Sequence, residues 1–246
     1  KLNPDVDVLQ KCIDFLNVGY FVSRVKLACE VATSEKLFAV NSNFEFDLDL
    51  LFGYFMNNSL LKANPLASVY YYLYQLIVDN QPEDYIKVET ILNQNSNIFS
   101  LEEQHLIISY LQNFATSQIR QGRTEFWGKA HTLDKYSVDK KVLTYGSPIS
   151  SSQFTNIVNA ACKVKEFNWA HDFINSCSLY LSKEICENTS KLSKAIIFYE
   201  QKKFPQTLEV LRNVEFQNVH QAIRTKSLTL ISYFEMNEGE NLIIDY

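Results

Sequence analysis

The side chains best suited to chemistry are four histidines, five cysteines and one short run of acids. His105, His131, His171 and His220 fall in separate helical segments, and no HxxxH, HExxH or Cys/His pair stands at metal-ligand spacing. His131 and His171 hold equivalent positions, each directly after a small residue, and are candidates for one shared groove or for two half-exposed positions. Cys12, Cys29, Cys162, Cys177 and Cys186 contain no CxxC pair, and their odd count predicts reduced, buried thiols rather than a disulfide framework. Cys177 follows His171 by six residues, which puts the two on different faces of a helix and leaves the thiol without a base.

The acids Glu45, Asp47 and Asp49 are spaced for a cation, but the turn glycine and bidentate Glu of a calcium loop are missing. Acids opening a helix explain them better, because negative charge favours the helix N-terminus. The glycines are scattered singly, so no phosphate loop and no GxSxG nucleophile elbow exists. Asn57-Asn58-Ser59 and Asn188-Thr189-Ser190 match the three-residue glycosylation pattern. The expectation is a non-enzyme, with no catalytic residues, no cofactor and no metal.

Something must position whatever function remains, and the composition says what kind of element does so. Apolar residues make up 46% of the 246, enough for a packed core, while Gly and Pro together number only 11 (6 and 5). An all-β chain needs many more turn residues, so the class expected is all-α. Net charge is −5, and residues 1–100 account for it, with 7 Lys+Arg against 12 Asp+Glu. That balance makes a nucleic-acid partner an unlikely one, since such partners call for a basic face. No apolar run approaches the roughly 18 residues of a membrane span, and no signal peptide is visible. The expected location is cytoplasmic, unless the chain is a piece of a longer one whose targeting segment is lost.

Periodicity then locates the helices. KEFNWAHDFI at 165–174 and KKFPQTLEVL at 202–211 share a Lys, a Phe two later and a small residue three after that. Before each lies a helical stripe: Phe154, Ile157, Val158 and Ala161 in one case, Leu192, Ala195, Ile196 and Tyr199 in the other. A helix, a tight polar break and a second helix make one hairpin, packed antiparallel because the break is short. A third copy is expected from Val219, with Leu228, Ile231 and Phe234 as its stripe, Gly239 at its break and Ile243 beyond. Phe126 precedes Phe167 by 41 residues and Tyr85 precedes Phe126 by 41, which predicts helix pairs at 66–79 with 82–94 and 100–121 with 124–137.

Local signals agree with the periodicity. Asn64–Pro65 reads as an N-cap followed by a first-turn proline, and SLEE at 100–103 as a capping box. Residues 5–40 read as one or two helices; FEFDLDL at 44–50 alternates as a strand does, but a lone strand would have no partner, so it reads as the start of a helix capped by Asp47. YYYLY at 70–74, Trp127 and Trp169 are expected to pack helix against helix. Two regions result, an N-terminal helical region over 1–60 and a hairpin array over 61–246, with a candidate sub-boundary at 138–149.

A hairpin of 34 to 41 residues, with an aromatic opening its second helix and a small residue three later, resembles a tetratricopeptide-type repeat. FTNIVNAACKVKEFNWAHDFI, FYEQKKFPQTLEVLRNVEFQNV and LISYFEMNEGENL are similar to a bacterial family of uncharacterised helical-repeat proteins. The resemblance covers roughly residues 60–246 and implies an α-solenoid, with no activity attached.

A repeat array without a catalytic set reads as a protein- or peptide-binding scaffold, whose first helices carry the groove. Gln153, Asn156, Asn159, Lys163, Lys191 and Lys194 are the partner-binding candidates. A single-stranded RNA-binding array is the alternative, as is a regulatory array of a larger protein.

Overall fold

A computed structural model describes residues 6–39, 47–215 and 219–236. These residues form twelve α-helices and one 3-10 turn, with no strand, so the all-α class holds. The chain divides into two compact units, Lys1–Phe114 and Ala115–Tyr246.

The first unit opens with a single helix, α1 (Val6–Phe38), followed by α2 (Leu48–Asn57), α3 (Ser59–Ala63), α4 (Pro65–Asp79) and α5 (Pro82–Gln94). α6 (Leu101–Arg120) begins in this unit, and the division falls inside it. Caps set these starts. The Asn64 side chain accepts from the amides of Leu66 and Ala67, and Pro65 fills the first turn, where its missing N–H costs nothing. Asn58 caps α3 in the same way. Asp47 precedes α2 in the cap position, but its side chain makes no capping bond. Glu45 and the rest of FEFD up to residue 46 lie outside the described residues.

The capping box at α6 is half formed. Ser100 Oγ accepts from the Glu103 amide at 3.1 Å. The Glu103 carboxylate does not return the bond; it pairs with Lys26 Nζ at 2.8 Å and accepts from the Tyr70 hydroxyl. One carboxylate therefore ties α1, α4 and α6 together.

The tyrosine run packs helices, as its amphipathic rings suggest. Tyr70 is fully buried, Tyr71 stacks on Phe55 at 4.4 Å, and Phe52 meets both Tyr71 and Tyr74 at 5.2 Å. Lys87 sits over the Tyr72 ring at 4.6 Å while pairing with Asp84.

The second unit contains α7 (Phe126–Asp139), α8 (Ser151–Lys163), α9 (Phe167–Asn175), α10 (Lys183–Glu200), α11 (Phe204–Leu211) and α12 (Val219–Glu235). Successive helices pack as neighbours: α7 on α8, α8 on α9, α10 on α11 and α11 on α12, with α8 also on α10. The core is Phe154, Ile157, Val158 and Ala161 of α8 against Ala170, Phe173 and Ile174 of α9 and Ile196 and Ile197 of α10. Phe173 stacks on Phe154 at 4.5 Å, on Tyr180 at 4.8 Å and on Trp169 at 5.3 Å. The segment between α7 and α8 is packed down, with Val142, Leu143 and Ile149 buried and the Ile149 amide donating to the Tyr180 carbonyl at 2.9 Å.

The repeated K-x-F has a common physical basis. Lys165 and Lys202 both adopt left-handed backbone angles, φ 64° and 60°. At the first, Glu166 donates to Ala161 and Lys165 to Cys162; at the second, Lys203 donates to Phe198 and Lys202 to Tyr199. Each is a Schellman ending that satisfies the last carbonyls of its helix. Lys141 ends α7 in the same way, with φ 58°, and Gly122 ends α6 with φ 87°. The small residues of the motif, Ala170 and Thr207, are both fully buried.

Two expectations fail. Cys177 and Cys186 form a disulfide, joining the 3-10 turn Cys177–Leu179 to the first turn of α10. The chain reverses between α9 and α10, so residues nine apart come within 5.8 Å at Cα, a proximity no CxxC spacing announces. Cys29 and Cys162 are the buried free thiols expected, while Cys12 is exposed. In α12, Ile231 and Phe234 are exposed, and the buried positions are Gln221, Thr225, Ser232 and Tyr233. Gly239 and Ile243 lie outside the described residues.

Candidate functional site: a polar pocket in the second unit and an apolar face in the first

The second unit holds a pocket of about 410 Å³ lined by residues of α8, α10 and α12. α8 supplies Ser151, Ser152, Thr155 and Asn156, and α12 supplies Gln221 and Arg224. The start of α8 is fixed by Ser150, whose Oγ accepts from the Gln153 amide at 3.1 Å. That places Ser151 and Ser152 in the first turn, where helical amides have no intrahelical acceptor.

Among the described residues Arg224 is the one charged side chain lining this pocket. Its Nη1 donates to Thr155 Oγ1 at 3.2 Å and to Asn156 Oδ1 at 3.1 Å. Both acceptors are neutral. Burial lowers the Arg224 pKa from its ordinary value, because the charge is partly taken out of water. Thr155 in turn donates to the Ser152 carbonyl at 3.0 Å, which orients its oxygen towards the guanidinium.

The six partner-binding candidates separate into distinct environments. Asn156 belongs to the pocket just described. Gln153 and Lys194 are exposed, and Asn159 is half-buried. Lys163 pairs with Glu200 at 2.7 Å, joining α8 to α10, and Lys191 pairs with Glu187 one turn away on α10. Arg224 was not among the candidates. Its signal in sequence is a cation on the face marked by Gln221, Thr225, Leu228 and Ser232, four positions at helical spacing.

His131 and His171 are not equivalent. His171 is half-buried, whereas His131 is 5% exposed, its ring edge-on to Trp169 at 4.8 Å and neither ring nitrogen hydrogen-bonded. Among the described residues no group of three His, Cys, Asp or Glu side chains could hold a metal ion. The buried thiols are poor nucleophiles: burial pushes Cys162 up to about 12 and raises Cys29 further. Asn188 cannot present itself for glycosylation, since its buried side chain donates to the Glu215 carbonyl and accepts from the Glu215 amide.

The first unit offers a different surface. The N-terminal half of α1 exposes Val8, Leu9, Ile13, Phe15, Leu16 and Tyr20, with Phe15 at 79% and Leu16 at 68%. Beside it, a groove of about 460 Å³ runs between α1 and α2, lined by Tyr20, Phe21 and Arg24 and by Leu48, Leu51 and Tyr54. Among the described residues no helix is long and apolar enough to cross a membrane.

No protein-family model, curated protein or solved structure matches the chain.

Proposed function

We propose that the chain is a non-enzymatic scaffold of tetratricopeptide-like helical hairpins that binds a protein or peptide partner. The observation that carries this reading is the exposed apolar face of α1, where six large apolar residues between Val8 and Tyr20 meet solvent. Single exposed apolar residues need no explanation, but a contiguous set of this kind marks an interaction surface. The α1–α2 groove beside it adds aromatic and aliphatic walls of the sort that receive anchor side chains. The neighbour-on-neighbour packing of α8 to α12 supports the repeat reading, and the protonated thiols of Cys29 and Cys162 support a non-enzymatic one.

The test is affinity capture from host lysate, comparing wild-type chain with a Phe15→Asp, Leu16→Asp double variant, each with and without nuclease. Both positions are exposed, so the fold tolerates the change. A protein retained by wild type through nuclease treatment and lost by the variant supports the scaffold. Capture of nuclease-sensitive material alone, or a partner indifferent to the variant, overturns it.

A further inference from the structure

We propose that the pocket of α8, α10 and α12 is an oxyanion site that takes the phosphate monoester group of a small molecule. This inference is independent of the α1 surface. It starts from Arg224, whose cation is partly buried and hydrogen-bonded only to the neutral oxygens of Thr155 and Asn156. Among the described residues no carboxylate pairs with it. A half-buried guanidinium with no counter-charge among the described residues is stabilised by a bound anion. Nη1 is spent on positioning, so Nη2 and Nε remain as donors.

The other walls also offer donors. Ser151 is 9% exposed and lines the pocket, which puts a hydroxyl donor at its wall. Ser152 adds a second hydroxyl, and the first-turn amides of Ser151 and Ser152 are free, because Ser150 caps the amide of Gln153 instead. α8 is 13 residues long, so its N-terminus carries a full partial positive charge.

The donor count selects phosphate over carboxylate. A guanidinium edge, two hydroxyls and two amides exceed what one planar carboxylate accepts, whereas a tetrahedral dianion has three oxygens to present to them. Among the described residues no acidic side chain lines the pocket to repel it. Its volume of about 410 Å³ leaves room for a small organic group beyond the phosphate, and falls within the roughly 300–1,000 Å³ of small-ligand sites.

The experiment titrates the whole chain with inorganic phosphate, phenyl phosphate and benzoate at constant ionic strength. It follows the Arg224 Nε resonance and the Ser151 and Ser152 amides by NMR. Saturable shifts of all three signals with both phosphates, and binding of benzoate roughly tenfold weaker or worse, are expected. Tighter binding of phenyl phosphate than of inorganic phosphate identifies an organic monoester as the ligand; the reverse order identifies the free ion and overturns the small-molecule assignment. Arg224→Met should weaken phosphate binding roughly tenfold or more. Should that variant not fold, Ser152→Ala, at an exposed position, takes its place with a several-fold loss expected. Shifts that do not saturate by roughly 10 mM, or that survive both variants, overturn the proposal.

Discussion

At the scale of single residues, two side chains show how burial decides what a chemically capable group does. His131 sits between α7 and α9 with both ring nitrogens unbonded, and burial, followed by the nearby Lys135 charge, lowers its pKa; Glu166 opposes the shift weakly. The unfolded chain therefore binds the His131 proton more tightly than the folded one. Stability from this group is complete above the ordinary histidine value of about 6.5, and is lost as pH falls from there towards the lowered folded value. Urea unfolding at about pH 8 and about pH 5.5 should show a lower midpoint in acid, and His131→Leu should flatten that difference. An equal acid loss in the variant would assign the effect to other groups. The second example is the Cys177–Cys186 disulfide, which closes a loop of nine residues' separation. Loop-closure entropy values such a link at about 2.5 kcal/mol, large against the whole stability of a small unit. Neither role was legible in sequence. A histidine's burial depends on which helix packs over it, here through Trp169, and a disulfide depends on a chain reversal that no cysteine spacing reports.

At the scale of elements, the sequence was most legible where local signals and periodicity agreed. The helices expected at 66–79, 82–94, 100–121 and 124–137 are Pro65–Asp79, Pro82–Gln94, Leu101–Arg120 and Phe126–Asp139, and the first two pack as the expected pair. Caps such as Asn64 act within three residues, so they can be read without knowing the fold. α12 shows where that reading fails. Its apolar stripe pointed to Ile231 and Phe234, yet the helix buries Gln221, Thr225 and Ser232. A polar face turned inward defeats hydrophobic periodicity, and Arg224 was overlooked because it lies on that face. Helix ends carry a testable cost. Lys165 and Lys202 hold left-handed angles that favour glycine, because a side chain there crowds the following carbonyl. Lys165→Gly and Lys202→Gly should each stabilise the second unit by roughly 0.5–1 kcal/mol, read from the urea midpoint. The same change at an exposed position in the middle of α10, such as Lys194, should instead destabilise, since glycine inside a helix loses about 0.5–1 kcal/mol. A loss at either helix end would mean that the lysine stems pack usefully enough to outweigh the backbone gain.

At the scale of the whole chain, charge decides between a protein partner and single-stranded RNA. Affinity for RNA comes from cations that displace counterions, with the logarithm of affinity falling by about 0.7 per phosphate contact as salt rises. The chain has 23 Lys+Arg against 28 Asp+Glu, and several of its cations are already engaged. Lys26 pairs with Glu103, Lys87 with Asp84, Lys163 with Glu200 and Lys191 with Glu187. Recruiting them to phosphates means first breaking those pairs, and the acids left behind would repel the strand. The same argument does not touch the α8–α12 pocket, where Arg224 has no carboxylate partner among the described residues and the proposed ligand is a single phosphate group rather than a polyanion. Titration with a labelled oligouridine at about 150 mM salt should therefore give no saturable binding tighter than roughly 10⁻⁴ M, the level of non-specific association. Micromolar affinity with a steep salt slope would require a basic track that the charge balance does not supply, and would replace the scaffold reading with an RNA-binding one.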